Sequence, residues 1–191
     1  MLGNAAFALC ALMLSGVAAA ERISQIEARI GTANVRYAET DDRVYLGVVS
    51  SDGGREFNLD RKGIDDFERG AYSVLLINSK SRSSQNNSDV YHSIADNALD
   101  DFPLNLENVS AVYIRKHIKD SASEDDAWMV ASVSVDLRDN AAPGAPCRRF
   151  VVPNGATFVL SAARGAVVYL KEAPDCLNPT QREATPATRA R

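Results

Sequence analysis

The sequence predicts an all-β protein: a two-sheet antiparallel β-sandwich of about eight strands. Three observations carry this. Short runs rich in β-branched and aromatic residues recur along the chain, and the clearest is AWMVASVSVDL at Ala127–Leu137. Turn chemistry separates them: Asp52-Gly53-Gly54, Pro153-Asn154-Gly155 and Ala163-Arg164-Gly165. The chain offers little convincing helix, at most a short helical turn around Ile94–Leu99. Strands with one apolar face each bury that face as two packed sheets or as a barrel, and irregular loop lengths favour the sandwich.

The chain opens on MLGNAAFALCALMLSGVAAA, twenty residues without a charged side chain. The apolar run Ala5–Leu14 has the length of a signal-peptide core and is too short to span a bilayer. Ala18-Ala19-Ala20 offers a small-residue cleavage site. Cys10 sits inside that core, where the bulky Leu9 before it makes a poor lipoprotein cleavage box. Residues 1–20 therefore read as a leader, 21–171 as one domain and 172–191 as a flexible tail rich in Pro, Thr, Ala and Arg. The expected location is secreted, periplasmic or cell-envelope, with no transmembrane segment once the leader is cleaved. All the charge lies beyond the leader, 25 acids against 21 bases for a net of −4. That balance excludes a nucleic-acid binder, which needs a clustered basic surface. Cys147 and Cys176 remain after the leader, and an even pair in an exported chain predicts one disulfide.

Within the domain, Ile26, Ala28 and Ile30 alternate with Glu27 and Arg29, so Ser24–Val35 begins as a strand, with a bulge or bend at Gly31-Thr32. Arg43–Val49 follows Asp41 and Asp42 as a half-buried strand, and the turn at Ser50–Gly54 reverses it into Arg55–Leu59. Ala71–Asn78 is a more apolar run, suited to the middle of a sheet. Residues 79–101 form a long polar insertion holding Tyr91-His92-Ser93. The glycosylation pattern occurs at Asn86 and Asn108, and it carries meaning only in a eukaryotic source. Val109–Ile118 aligns Val112, Ile114 and Ile118 on one face. Arg115, Lys116, His117 and Lys119 read as a charge-balanced strand end. In Ala127–Leu137, strict alternation puts Met129, Ala131, Val133, Val135 and Leu137 on the core face. Phe150–Val152, Thr157–Ser161 and Ala166–Leu170 complete a terminal meander.

Three segments in this order, T-D-D-R-V-Y-L from Thr40, Phe67-Glu68-Arg69-Gly70, and the Trp128-led W-x-V-x-x-V-x-V strand, resemble the PLAT domain, the β-sandwich of polycystins, lipoxygenases and alpha-toxins. The resemblance covers roughly Gln25–Leu170. The sequence departs from the pattern at Glu39, where Gly is usual, in the loop Lys119–Asp126, and by the insertion at 79–101. The resemblance implies a non-catalytic module that binds membranes, lipids or partner proteins, in some members with calcium.

The residues supply a counterpart. Asp41 and Asp42 lie in one loop and Asp120, Glu124, Asp125 and Asp126 in another, and loops distant in sequence can meet at one end of a sandwich. Converging carboxylates would offer the hard oxygen ligands that Ca²⁺ takes. The bland alternative is two solvated acidic turns. Trp128, directly after the second loop, is a candidate membrane or partner contact, against packing at the sandwich edge. The expected function is an exported protein- or lipid/membrane-surface-binding module, with Ca²⁺ as the candidate ion and no cofactor otherwise. The alternative is a carbohydrate-binding or structural envelope sandwich. The former would need several aromatics on one flat face. His92 and His117 belong to no nucleophile motif, and no phosphate-cradling Gly-rich loop is present, so an enzyme is not expected.

Overall fold

The computed structural model describes residues 22–60, 65–78, 90–92, 99, 103–117, 126–139, 145–174 and 176. The described residues form eleven strand segments: β1 Gln25–Thr32, β2 Val44–Ser50, β3 Gly53–Asn58, β4 Tyr72–Asn78, β5 Val90–His92, β6 Val109–Lys116, β7 Trp128–Arg138, β8 Cys147–Val151, β9 Phe158–Leu160, β10 Val167–Tyr169 and β11 Lys171–Ala173. One sheet runs β11-β8-β7-β1-β4-β5, with β9 added to the start of β7, and the other runs β10-β6-β2-β3. Pairing is antiparallel except between β4 and β5. The core lies between the sheets, with Ile26, Ala28, Ile30, Val135, Leu137 and Ile77 from the larger facing Val44, Leu46, Val48, Phe57, Val112 and Ile114 from the smaller. Among the described residues no helix is long and apolar enough to cross a membrane.

The expected sandwich is present, and the corrections are local. The last three strands form no meander. β8 and β9 both pair with β7, while β10 crosses to β6 in the other sheet. β5, within the expected insertion, pairs with β4, and β11 carries the larger sheet past residue 171. Cys147 and Cys176 form a disulfide across 29 residues of sequence separation, fastening the chain beyond β11 to the start of β8.

The strict alternation expected for β7 breaks. Gly31 pairs with Ser132 and Thr32 with Val130, so Ala131 is an extra residue in β7. Because the side-chain period of a strand is two, one extra residue exchanges the faces. Val133, Val135 and Leu137 face the core as expected, but before the bulge the buried residues are Trp128 and Val130, and Met129 turns outward to half-burial. The bend anticipated at Gly31-Thr32 is this irregularity, met by its bulged partner.

Lys116 is not part of a solvated strand end. It follows Val112 and Ile114 on the core face of β6, its ammonium 2.5 Å from Asp42 Oδ2, with side-chain exposures of 0% and 1%. A buried charge persists only when paired, so the two residues hold each other in place.

Candidate functional site

Two loops at one end of the sandwich converge. The loop entering β2 carries Glu39–Asp42, and the one leaving β3 and entering β4 carries Asp60 and Asp65–Gly70. Their position follows from local bonding. Asp42 N–H donates to Thr40 Oγ1 at 3.2 Å, and the Asp42 carboxylate is anchored inward by Lys116. Val44 N–H donates to Asp60 Oδ1 at 3.0 Å, and Asp60 N–H donates to Asn58 Oδ1 at 3.0 Å, which turns the chain out of β3 beneath β2. Asp41 is left exposed at the rim.

The third segment is set by Phe67. This buried residue has φ 62°, a left-handed conformation that a non-glycine residue adopts only when its surroundings impose it. Those surroundings are visible. Thr32 Oγ1 donates to Phe67 O at 3.1 Å and accepts from Trp128 Nε1 at 3.1 Å, while the Phe67 and Trp128 rings meet at 5.0 Å. The sharp turn leaves Asp65 and Glu68 exposed and Asp66 buried. Trp128, a sequence candidate for surface contact, is 0% exposed. It belongs to the support behind the acidic loop, and its indole N–H is already bonded, so it can touch neither a membrane nor a partner.

Carboxylate oxygens of Asp41, Asp65 and Glu68 all lie within 4.8 Å of one another. Behind them a cleft of about 290 Å³ is lined by Thr40, Asp42, Asp60, Asp65, Asp66 and Phe67, among others. Like charges this close oppose ionisation. The charge of Asp65 is the largest cause raising the Glu68 carboxyl above its ordinary range, followed by burial, a hydrogen bond with Asp65, and the charges of Glu39 and Asp41. Asp60 is pushed up to about 6, first by burial, with Asp66 and Asp42 adding to it, while the Val44 N–H and Arg43 oppose. Among the described residues, Glu39 Oε2 is buried with no hydrogen-bond partner. An orphaned carboxylate oxygen beside mutually repelling acids fits a hard cation, which prefers such oxygens and satisfies them together.

Of the six carboxylates proposed from sequence, two are brought together: Asp41 N–H donates to Asp126 Oδ2 at 2.6 Å, so the loop ahead of β7 reaches the loop ahead of β2. Asp42 points inward to Lys116 and serves as an anchor. Asp120, Glu124 and Asp125 lie outside the described residues. Sequence reading missed Asp65 and Glu68, which flank the Phe67 turn. The available signal was Asp65-Asp66 standing immediately ahead of the Phe-Glu-Arg-Gly segment. It also missed Val35, Arg36 and Tyr37. Val35 and Tyr37 are 47% and 69% exposed, and the Arg36 guanidinium lies 4.5 Å from the Tyr37 ring centroid. This loop shares the acidic rim, since Gly70 N–H donates to Ala33 O and the Asn34 side chain packs against Gly70.

Comparisons with known proteins agree with this architecture. Among solved structures, alpha toxin from Clostridium absonum superposes with a TM-score of 0.51 at 21% identity, over 84% of this chain and 34% of the toxin. The alpha-toxin of an avian strain of Clostridium perfringens gives 0.49 at 19%, over 82% and 34%. Coral 8R-lipoxygenase, described as calcium-activated through a C2-like domain, gives 0.47 at 13%, over 78% and 17%. The chain thus spans about a third of the toxins' length. No curated protein matches the sequence. The sequence profile of the PLAT/LH2 domain matches residues 26–157, most of the described sandwich. This chain belongs to the PLAT/LH2 domain family.

Proposed function

We propose that this chain is an exported, non-catalytic surface-binding module whose acidic end takes a divalent cation of the calcium class. The observation that carries the reading is the grouping of Asp41, Asp65 and Glu68, with the partnerless Glu39 oxygen beside it. Three carboxylates leave room in the six- to eight-oxygen shell of Ca²⁺ for backbone carbonyls, water or a ligand's own oxygens. Such an ion could bridge the rim to an anionic headgroup or a partner carboxylate. The adjacent Val35-Arg36-Tyr37 tip supplies what a lipid interface asks for: apolar surface, an amphipathic ring and a cation. In this reading Asp126 holds Asp41 by its backbone, and Asp42 and Lys116 keep the loop registered.

Calorimetric titration with CaCl₂, melting with and without EGTA, and co-sedimentation with phosphatidylcholine–phosphatidylserine vesicles test it. We expect saturable Ca²⁺ binding, a higher melting temperature with Ca²⁺, and Ca²⁺-dependent pelleting that Tyr37→Ala weakens. Asp65→Asn combined with Glu68→Gln should abolish the Ca²⁺ effects. A parent protein whose melting temperature and pelleting ignore both Ca²⁺ and EGTA would sink the cation reading.

A further inference from the structure

The outer face of the smaller sheet, remote from the acidic rim in its chemistry, gathers aromatic side chains that the sequence scatters. Register places Tyr169, Tyr113, Gly47 and Glu56 in one row across β10, β6, β2 and β3, and Val167, Arg115, Tyr45 and Asn58 in the next. Half of the chain's six tyrosines therefore share one sheet face.

Tyr113 is laid down rather than upright. A Cβ added at Gly47 would fall 2.0 Å from its Cζ and 2.3 and 2.4 Å from its two Cε atoms. Near-equal distances to both ring edges put that point under the ring's face, so Tyr113 rests flat on β2 where glycine alone leaves space. Its hydroxyl reaches across to Glu56 Oε1 at 2.9 Å, fixing the ring at its far end. The opposite face of the ring points away from the sheet. Tyr169, 61% exposed, stands against it with centroids 5.5 Å apart and planes at 58°, giving a floor and a wall. Arg115 closes the side, donating to both Glu56 oxygens at 2.7 and 2.6 Å while its guanidinium sits 4.3 Å from the Tyr45 centroid.

We propose that this Tyr113–Tyr169 step, edged by Arg115 and Glu56, is a binding site for a sugar ring of a neutral glycan. A pyranose presents a flat face of weakly positive C–H groups, which matches the negative face of a fixed aromatic ring. Its ring of hydroxyls needs planar donors and acceptors at the edge, which the Arg115–Glu56 pair offers through its remaining lone pairs and N–H groups. Charge complementarity selects against charged ligands. Arg115 and Glu56 cancel, and Arg115 already occupies the Tyr45 ring, where a quaternary ammonium would otherwise sit. Pre-placement of Tyr113 by Gly47 and Glu56 removes the ordering cost that a free tyrosine would bear on binding. The site is independent of the cation reading, and its test separates the two.

The probe is a glycan array of neutral plant, bacterial and animal oligosaccharides, followed by calorimetry with the best neutral hit and run throughout in EGTA. We expect retention of at least one neutral glycan, loss of at least tenfold in affinity for Tyr169→Ala and for Tyr113→Ala, and no change for Asp65→Asn. Tyr169→Ala removes an exposed side chain, so its melting temperature should match the parent's and fold loss cannot explain its result. An array without a neutral hit overturns the proposal. So does binding that Tyr169→Ala leaves unchanged. Light scattering that shows a dimer dissolved by Tyr169→Ala would assign the face to a second copy of the chain, and that too overturns it.

Discussion

Replacing Lys116 by Met removes one ammonium from the interior and keeps most of the side chain's length. The group removed lies 2.5 Å from Oδ2 of an Asp42 carboxylate whose side chain is 1% exposed. At an effective dielectric of about 20 the direct attraction at that distance is roughly 6–7 kcal/mol, and much of it offsets the desolvation of the two ions. What the variant leaves behind is a buried carboxylate stripped of the Lys116 ammonium, and breaking a buried pair by removing one partner costs about 3–5 kcal/mol. For a domain of this size that corresponds to a melting temperature lower by about 6–20 °C. Urea and thermal unfolding, read by circular dichroism, measure it. The diagnostic companion is Lys116→Met with Asp42→Leu, which removes both charges and should recover most of the loss. A single variant within about 1 kcal/mol of the parent would refute the pairing, and a double variant no better than the single would refute its energetic account.

The remaining expectations use other parts of the fold. Asp60 titrates near 6 in the folded chain, above its ordinary value near 3.8, so its ionisation opposes folding. The contribution of Asp60 to stability should therefore fall as pH rises from about 4 through 6. Asp60→Asn should flatten that segment and melt higher than the parent at pH 7 but not at pH 4, and a variant equally shifted at both would contradict it. On β7, Val130→Asp should unfold the domain while Met129→Asp melts only modestly lower, because Val130 is 0% exposed and Met129 faces outward. The reverse ranking would mean the Ala131 bulge is misplaced. Reducing Cys147–Cys176, which closes a separation of 29 residues, should cost about 3–4 kcal/mol on chain-entropy grounds, and an unchanged unfolding midpoint in dithiothreitol would count against it.

Much of the fold was legible because strands advertise themselves by alternation and turns by glycine. What alternation could not carry was a change of phase. Ala131 has no property that marks it as the extra residue. Its effect appears only when Thr32 pairs with Val130 while Gly31 pairs with Ser132. That one insertion moved Met129 out of the core and Trp128 into it, and so removed the surface contact expected of the tryptophan. Lys116 was different, since its parity with Val112 and Ile114 was readable, and only the habit of placing lysine in solvent concealed it. The meeting of Asp41 with Asp126 is a contact across 85 residues of sequence, which no local pattern specifies. Asp65 and Glu68 escaped because their convergence depends on a left-handed Phe67, a conformation that a phenylalanine does not announce.

The acidic rim also explains why so much hydrogen bonding is concentrated behind it. Asp41, Asp65 and Glu68 repel one another, and a loop free to relax would spread them. Here each is held from behind by groups that make no use of the carboxylates at the rim. Asp41 is held through its own backbone N–H, and the Asp65–Glu68 turn through Thr32, Trp128 and the carbonyl of Phe67. The three rim residues are thereby exposed with carboxylate oxygens within 4.8 Å of one another, and their repulsion is expressed in the raised Glu68 carboxyl. A bound cation would relieve that repulsion without moving the loops. Its binding should therefore be strongly pH-dependent, weakening as protons take the same oxygens, while the backbone frame stays in place. Amide chemical-shift changes confined to residues 39–42, 65–68 and 126 on adding CaCl₂ would match this rigid frame. Changes spread through β2 and β4 would show that the loops must first be pulled together, which this bonding pattern does not require.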